Sequence, residues 1–476
     1  MEYKDHQAGQ AEVPVLFPSR ADRQRLDDWL TGELLEAAER VAAGSVTPTV
    51  DLATFRSELE TFDFSAPRPL DELLKWTVKG MEEGVVHVTH PCYFGLFNPL
   101  PTFPAQCADR ISAGFNPQLA SSKTSPVPVE IEAHVIRAVA ARAGLPAQAS
   151  GHFTSCGSEA NYTALLCALT NSDPRFAAEG SRAYPGPPVF YVSRESHLAW
   201  LKIAHQAGVG RSAVRFVPTD GHGRMNTDAL SAALSHDRDL GCIPIMIVAT
   251  AGTTNAGMID PLVECANIAR ASNVWYHVDA AWGGAVIASD SLRHFLDGIE
   301  QADSITIDAH KWFATTMGCG MYMTQHPDVL SSTFQVSADF MPSSLAQVDP
   351  YLNSIQWSRR FAGLRLFLSL AAASWNGYAR HVEHSTRLAA LVRSRLEAIG
   401  WSIVNDSPLA VLCVKPPSEA KRIPLIVGRL LATGQAWVAI ASFEGQEIIR
   451  VCVTNGESTE HDVDTLISAL TTAAQA

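Results

Sequence analysis

Val274-Trp-Tyr-His-Val278 runs directly into Asp279-Ala-Ala-Trp-Gly-Gly284, and that junction decides the fold. The first five residues read as a strand buried on both faces, as parallel strands are. Three further runs have the same character: Pro188–Val192, Ile243–Val248 and Ser304–Ile307. Helix-period segments lie between them, among them Thr227–Leu234 and Pro261–Ala271. The second of these opens on Asp260-Pro261, read as a cap and a first-turn proline. Strands alternating with helices predict an α/β layout with a parallel-rich central sheet.

On the C-terminal side of this region, Trp401–Val404, Ala410–Val414, Ala436–Ala441 and Ile448–Val453 alternate with two helical stretches. They predict a smaller α+β domain over 386–476, after a large domain over 91–385. The first 90 residues carry amphipathic pieces, as between Asp27 and Ala42, broken around Pro48 and Pro67-Arg-Pro69. With few buried-strand signals of its own, this segment reads as an arm that packs on another body, such as a second subunit. The chain contains no internal repeat that would indicate a solenoid.

Composition narrows the class. Of 476 residues, 47% are hydrophobic and 18% charged, which excludes an intrinsically disordered chain. A formal net charge of −13 argues against nucleic acid or an anionic membrane as partner. The N-terminus is polar and acidic, without the apolar core of a signal peptide. The most apolar stretch, Leu364 to Trp375, is interrupted by Arg365 and is far shorter than the ~20 residues a membrane helix needs. Nine cysteines with no CxxC pair fit neither a disulfide framework nor a structural metal site. The expectation is a cytoplasmic, reduced protein with no metal.

Four segments place reactive residues where strands end, and ligand sites of α/β sheets form at the carboxyl ends of strands. Phe153-Thr-Ser-Cys-Gly-Ser-Glu-Ala-Asn161 puts small residues ahead of a helical run, so first-turn N–H groups can face an anion such as a phosphate. A plain helix cap has the same composition. Asp279 ends a buried strand and either meets a cation or donors there or caps the turn after the strand. Lys311, in Asp308-Ala-His-Lys-Trp312, follows a strand in an apolar setting. There it either forms a Schiff base with a carbonyl or makes a surface ion pair. His197 follows the strand Pro188–Val192 and gains meaning only in company.

Taken together, in this order along the chain, His277-Val-Asp-Ala-Ala-Trp-Gly-Gly284 and Asp308-Ala-His-Lys-Trp312 resemble the pyridoxal-phosphate-dependent group II amino-acid decarboxylases. That family includes aromatic amino-acid, histidine and glutamate decarboxylases. The resemblance extends from about His90 to Arg360 and implies the aspartate-aminotransferase-like (type I) fold, pyridoxal 5'-phosphate as cofactor, and an obligate homodimer with active sites at its interface. It implies that Lys311 carries the cofactor aldehyde and that Asp279 pairs with the pyridine nitrogen. His197 would stack on one ring face, Ala281 would lie against the other, and Thr250 would sit beside the ring. Ser155 and Cys156 would hold the phosphate through their N–H groups, with His310 near it. Phe97 and Ser121 fall in segments that line the family's substrate pocket, partly across the dimer.

Two departures from the family pattern stand out. Asp308 occupies a position where several relatives have a phosphate-donating asparagine, and a carboxylate there would be repelled unless it turns to the lysine or another donor. The family's mobile-loop tyrosine, which delivers a proton to the substrate carbon after CO2 leaves, falls on Phe340 when counted without gaps. Phenylalanine has no proton to give, and relatives with this replacement release an aldehyde, ammonia and peroxide with consumption of O2. Two products are therefore expected to compete: the amine, if Tyr351, His310 or a water protonates instead, and the aldehyde. An aminotransferase and a cofactor-bound but inactive interaction protein are more remote readings. Of the arginines, Arg359 and Arg360 either meet a substrate carboxylate or brace a domain interface, and Arg450 reads as structural.

Overall fold

A computed structural model describes residues 16–336, 349–418 and 422–475. Phe340 lies outside the described residues. The described chain opens with α1 (Arg20–Ala43), α2 (Leu52–Glu60), α3 (Leu70–Gly84), α4 (Phe103–Phe115) and α5 (Pro126–Arg142). There follow β1 (Ser150–Thr154), α6 (Gly157–Ser172), α7 (Phe176–Glu179), β2 (Pro188–Ser193), α8 (Ala199–Gln206), β3 (Val214–Val217) and α9 (Thr227–Asp239). Next come β4 (Ile243–Thr250), α10 (Leu262–Ser272), β5 (Trp275–Asp279), β6 (Ser304–Asp308), β7 (Gly320–Thr324), α11 (Pro327–Phe334) and α12 (Gly363–Ala398). The last elements are β8 (Ser402–Ile403), β9 (Val411–Lys415), α13 (Ile423–Thr433), β10 (Ala439–Phe443), β11 (Gln446–Cys452) and α14 (Glu460–Gln475).

Seven strands form one sheet in the order β1-β7-β6-β5-β4-β2-β3. β3, β2, β4, β5 and β6 run parallel, and β7 is antiparallel to both β6 and β1. Every residue of β5 and β6 is buried, which is why these runs lack polar alternation: helices cover both faces. The register sets Thr250 beside Asp279 and Asp279 beside Thr306. β4 and β5 thus end level, and β6 runs two residues further, to Asp308.

The second sheet, β10-β11-β9-β8, is antiparallel throughout. Residues just ahead of Phe97 are stitched to it: the N–H of Phe94 donates to Trp437 O, and that of Cys452 to Phe94 O. Phe97 is thereby held where the two sheets meet. The boundary expected at 385/386 falls within α12, a 36-residue helix kinked at Ser374.

One expected detail is corrected. α10 starts at Leu262, and Asp260 does not cap it. The Asp260 carboxylate accepts instead from the N–H groups of Met225 and Thr250, holding the end of β4 against the loop before α9. Its burial pushes its carboxyl up to about 7. Among the described residues, no helix is long and apolar enough to cross a membrane.

Candidate active site

The ends of β4, β5 and β6, the loop after β2 and the start of α6 enclose a cavity. Phe97, Cys156, Gly157, His197, Thr250, Asp279, Ala281, Trp282, Asp308, His310 and Lys311 all contribute to its wall. Two wider clefts lie elsewhere, one around Arg270, Asp303 and His326 and one beside Ile111 and Phe115. Neither contains this combination of lysine, carboxylate and imidazole.

Asp279 is buried, and its Oδ2 accepts from Asn161 Nδ2 at 2.8 Å while Oδ1 accepts from the Ala281 N–H at 3.2 Å. The Asn161 amide oxygen is 3.0 Å from His277 Nε2, and His277 Nδ1 is 2.8 Å from Ser304 Oγ, which also accepts from Trp275 Nε1. The amide fixes the assignment. With Nδ2 donating to the carboxylate, the amide oxygen accepts from His277 Nε2–H, and Nδ1 accepts from Ser304. Burial lowers the His277 imidazole to about 4, so the relay behind Asp279 is neutral. Asn161, Ser304 and Trp275 had no role in the sequence reading. Asn161 lies five residues after Cys156, and Trp275 and Ser304 lie four before Asp279 and Asp308, but β5–β6 pairing and the docking of α6 are what bring them together.

His197 Nδ1 accepts the Ala199 N–H at 3.1 Å, which leaves Nε2 as the protonated nitrogen. Burial holds this imidazole below its ordinary value, against an opposing pull from Asp279. Thr250 Oγ1 lies 2.7 Å from Ser196 Oγ, which couples the end of β4 to the His197 loop. Phe97 stacks on Trp282 at 4.6 Å, and Trp282 stacks on Trp312 at 4.8 Å. These rings form an apolar wall beside Lys311, whose Nζ stands 5.7 Å from the Phe97 centroid.

Lys311 Nζ is 3.0 Å from Asp308 Oδ2, so Asp308 does turn to the lysine. His310 accepts the Cys319 N–H through Nδ1, and burial lowers its imidazole. Ser155 departs from the expectation. Its N–H and hydroxyl both donate to Glu159 Oε2, because a carboxylate in the first turn of α6 is well placed to cap the preceding N–H. Glu159 and Ala160 N–H groups go to Cys156 O. Among the described residues, the first-turn donors left facing the cavity are those of Gly157 and Ser158. Ser121 is buried with its Oγ 3.1 Å from Thr124 Oγ1 and does not line the cavity of its own chain, which leaves the expected contribution across a dimer untouched. Tyr351 is buried against Trp357 and also lies outside the cavity lining.

Arg359 forms a buried ion pair with Glu132 at 2.7 Å and braces α5 against the start of α12. Arg450 braces the chain, as expected of it, and keeps donors besides. It is 2% exposed, and its Nη1 donates to Gly95 O at 2.9 Å while its guanidinium lies 4.3 Å from the Phe97 centroid. Its Nε and Nη2 have no partner among the described residues. A buried cation with unpartnered donors is costly unless an anion meets it.

The family described as "Pyridoxal-dependent decarboxylase conserved domain" matches residues 58–415. An aromatic-L-amino-acid decarboxylase of Bacillus atrophaeus is 28% identical over 90% of this chain and 91% of its own length. An L-2,4-diaminobutyrate decarboxylase of Rhizobium meliloti (strain 1021) is 31% identical over 82% of this chain and 79% of its own. A phenylacetaldehyde synthase of Arabidopsis thaliana is 28% identical, over 81% and 82%. Among solved structures, Oryza sativa TDC with PLP and tryptamine superposes with a TM-score of 0.90 at 22% identity, over 96% of this chain and 98% of that one.

Proposed function

We propose that this chain, which belongs to the pyridoxal-dependent decarboxylase family, removes the α-carboxylate of an aromatic L-amino acid and releases the amine and CO2. Membership makes it a pyridoxal-phosphate-dependent carboxy-lyase of the type I fold. The observation that carries the reading is the meeting of Lys311, Asp279 and His197 in one cavity at the strand ends. The residues present fit the cofactor. Gly157 and Ser158 line the cavity with N–H groups that have no acceptor among the described residues, and Asp279 is a buried carboxylate on the cavity wall.

When bound, the cofactor supplies an electron sink for the bond broken as CO2 leaves. The rest is work for the chain's own residues. Lys311 brings the amine that holds the cofactor aldehyde and can move a proton at Nζ. Asp279, oriented by Asn161 and the Ala281 N–H, would pair with the pyridine nitrogen and hold a proton there. His197 and Ala281 would confine the ring, Thr250 would flank it, and the start of α6 would receive the phosphate. Arg450 would hold a substrate carboxylate, a role that its unpartnered Nε and Nη2 support. Phe97 and Trp282 exclude water from the reacting carbon and favour a flat apolar side chain, which supports the aromatic preference.

A second reading is favoured by one residue of the sequence, Phe340 at the position of the family's tyrosine. With no phenol to return a proton, O2 reacts and an aldehyde, ammonia and peroxide are released. That a phenylacetaldehyde synthase is among the relatives supports keeping it.

The active form in this reading is a homodimer. Phe103, Ile111 and Phe115 on α4 and Val127 on α5 are exposed in the single chain, as are Leu34, Leu35, Leu52 and Leu59 of the arm, and a second copy would cover them. The nine cysteines, all free thiols, support a reducing, cytoplasmic setting. The deciding experiment is product analysis in air with a panel of L-amino acids, following CO2, amine, aldehyde and peroxide together. Amine and CO2 without peroxide establish the first reading, and aldehyde with peroxide establishes the second. A Phe340→Tyr variant with an unchanged amine-to-aldehyde ratio removes Phe340 from the explanation.

A further inference from the structure

Asp308 ends β6 and is 3% exposed. Its Oδ2 lies 3.0 Å from Lys311 Nζ and 3.8 Å from His310 Nε2, while Oδ1 has no hydrogen-bond partner among the described residues. Both oxygens press on the first turn of α6: a Cβ on Gly157 would stand 2.7 Å from Oδ2 and 3.2 Å from Oδ1. The carboxylate therefore shares the place where the Gly157 and Ser158 N–H groups would receive a phosphate. Two anions at one helix start repel, more strongly where little water lies between them. A carboxylic acid has a hydrogen to donate, and Oδ1 is an oxygen with no donor to satisfy.

We propose that Asp308 is ionised in the cofactor-free chain, as counter-ion of Lys311, and takes up one proton when a phosphate settles at the start of α6, so that retention of the cofactor weakens as pH rises. The inference rests on the cofactor reading above. The proton is taken from solvent and forms only the new O–H bond of Asp308. Other groups face the same space. Lys311 and His310 lie on the turn after β6, with His197 and Asp279 across the cavity, Cys156 at the start of α6 and Cys319 ahead of β7. Arg365 of α12 lies behind, bound to Asp109 and to the carbonyls of Met317 and Gly318, with Glu132 beyond it. These remain when Asp308 alone is changed, so a comparison of the two chains isolates its proton. The sign is set by linkage: the bound state holds the extra proton, so affinity is full at low pH. It falls by up to roughly tenfold per pH unit once Asp308 is ionised in the free chain.

The test is calorimetry of pyridoxal 5'-phosphate binding to the cofactor-free chain, in buffers of different ionisation enthalpy. Wild type and Asp308→Asn are compared, with pyridoxal, which lacks the phosphate, as second probe. The expected result is that wild type takes up one more proton per site than Asp308→Asn with the phosphate ester and no more with pyridoxal. Near pH 8 the variant should bind the phosphate ester roughly tenfold tighter or better. Equal proton numbers, or weaker binding by the variant near pH 8, overturn the proposal. Should Asp308→Asn not fold, Asp308→Ser takes its place in the same calorimetric comparison, and equal proton numbers for the two chains again overturn the proposal. Failure of wild type to bind the phosphate ester at any pH would instead remove the cofactor reading on which the inference stands.

Discussion

Asn161 Nδ2 stands 2.8 Å from Asp279 Oδ2, and the other end of the same amide stands 3.0 Å from His277 Nε2. One side chain from the second turn of α6 thus aims a carboxylate at the end of β5 and fixes the tautomer of a histidine within it. Partners of this kind orient a functional group without touching what it binds.

Asn161→Leu, close to isosteric, removes both bonds. Cofactor affinity, read by equilibrium dialysis, should fall by roughly tenfold to a hundredfold, with the thermal midpoint lowered as well because His277 loses its acceptor. Unchanged affinity together with a lowered midpoint would reduce Asn161 to a packing residue.

Arg450→Met separates binding from bracing. Burial of an unpaired guanidinium is unfavourable, and a methionine of similar length fills the space without charge. Stability should hold or rise, while KM for the amino acid increases by roughly a hundredfold. A fall in stability with KM unchanged would return Arg450 to the structural role its sequence context suggests.

Acid sensitivity arises from buried histidines. Burial lowers His152 to about 3, and His277 and His381 to about 4, from an ordinary 6.5. Each is neutral in the native chain and protonated when unfolded below about pH 6.5. Their stability contribution is therefore complete above that pH and lost as pH falls through the window toward 4, by on the order of 3 kcal/mol each. His152 is the sharpest case, since neither ring nitrogen has a partner among the described residues. His152→Phe should leave stability at neutral pH equal or higher and flatten the decline between pH 6 and 4 in chemical denaturation. An unaltered slope would show that His152 does not titrate on unfolding.

The exposed face of α4 tests the assembly. Phe115 is 84% exposed and Phe103 70% exposed in the single chain. Phe115→Glu combined with Ile111→Glu should shift the sedimenting species from dimer to monomer and abolish turnover while leaving the monomer folded. A double variant that remains dimeric would place the interface elsewhere.

The local character of the chain was readable from its letters. Runs such as Ser304–Ile307 are apolar at every position because both faces of a parallel strand are covered, and that is a property of composition alone. The β7 strand escaped notice because it is short, glycine-led and antiparallel, and its place between β1 and β6 is set by pairing rather than by its own residues. The same divide runs through the site. The letters around Asp279 and Lys311 carry their chemistry in short contiguous motifs, and motif with order along the chain pointed to the family, its fold and its cofactor. The partners of those residues depended on approach in space. Ser155 gave its N–H to a carboxylate four residues on, Ser121 turned to Thr124, and Arg450 kept two donors free one ring away from Lys311. Hydrogen bonding and burial are settled by which atoms arrive within about 3 Å of one another, and only the packed chain, with its strands in register, decides that.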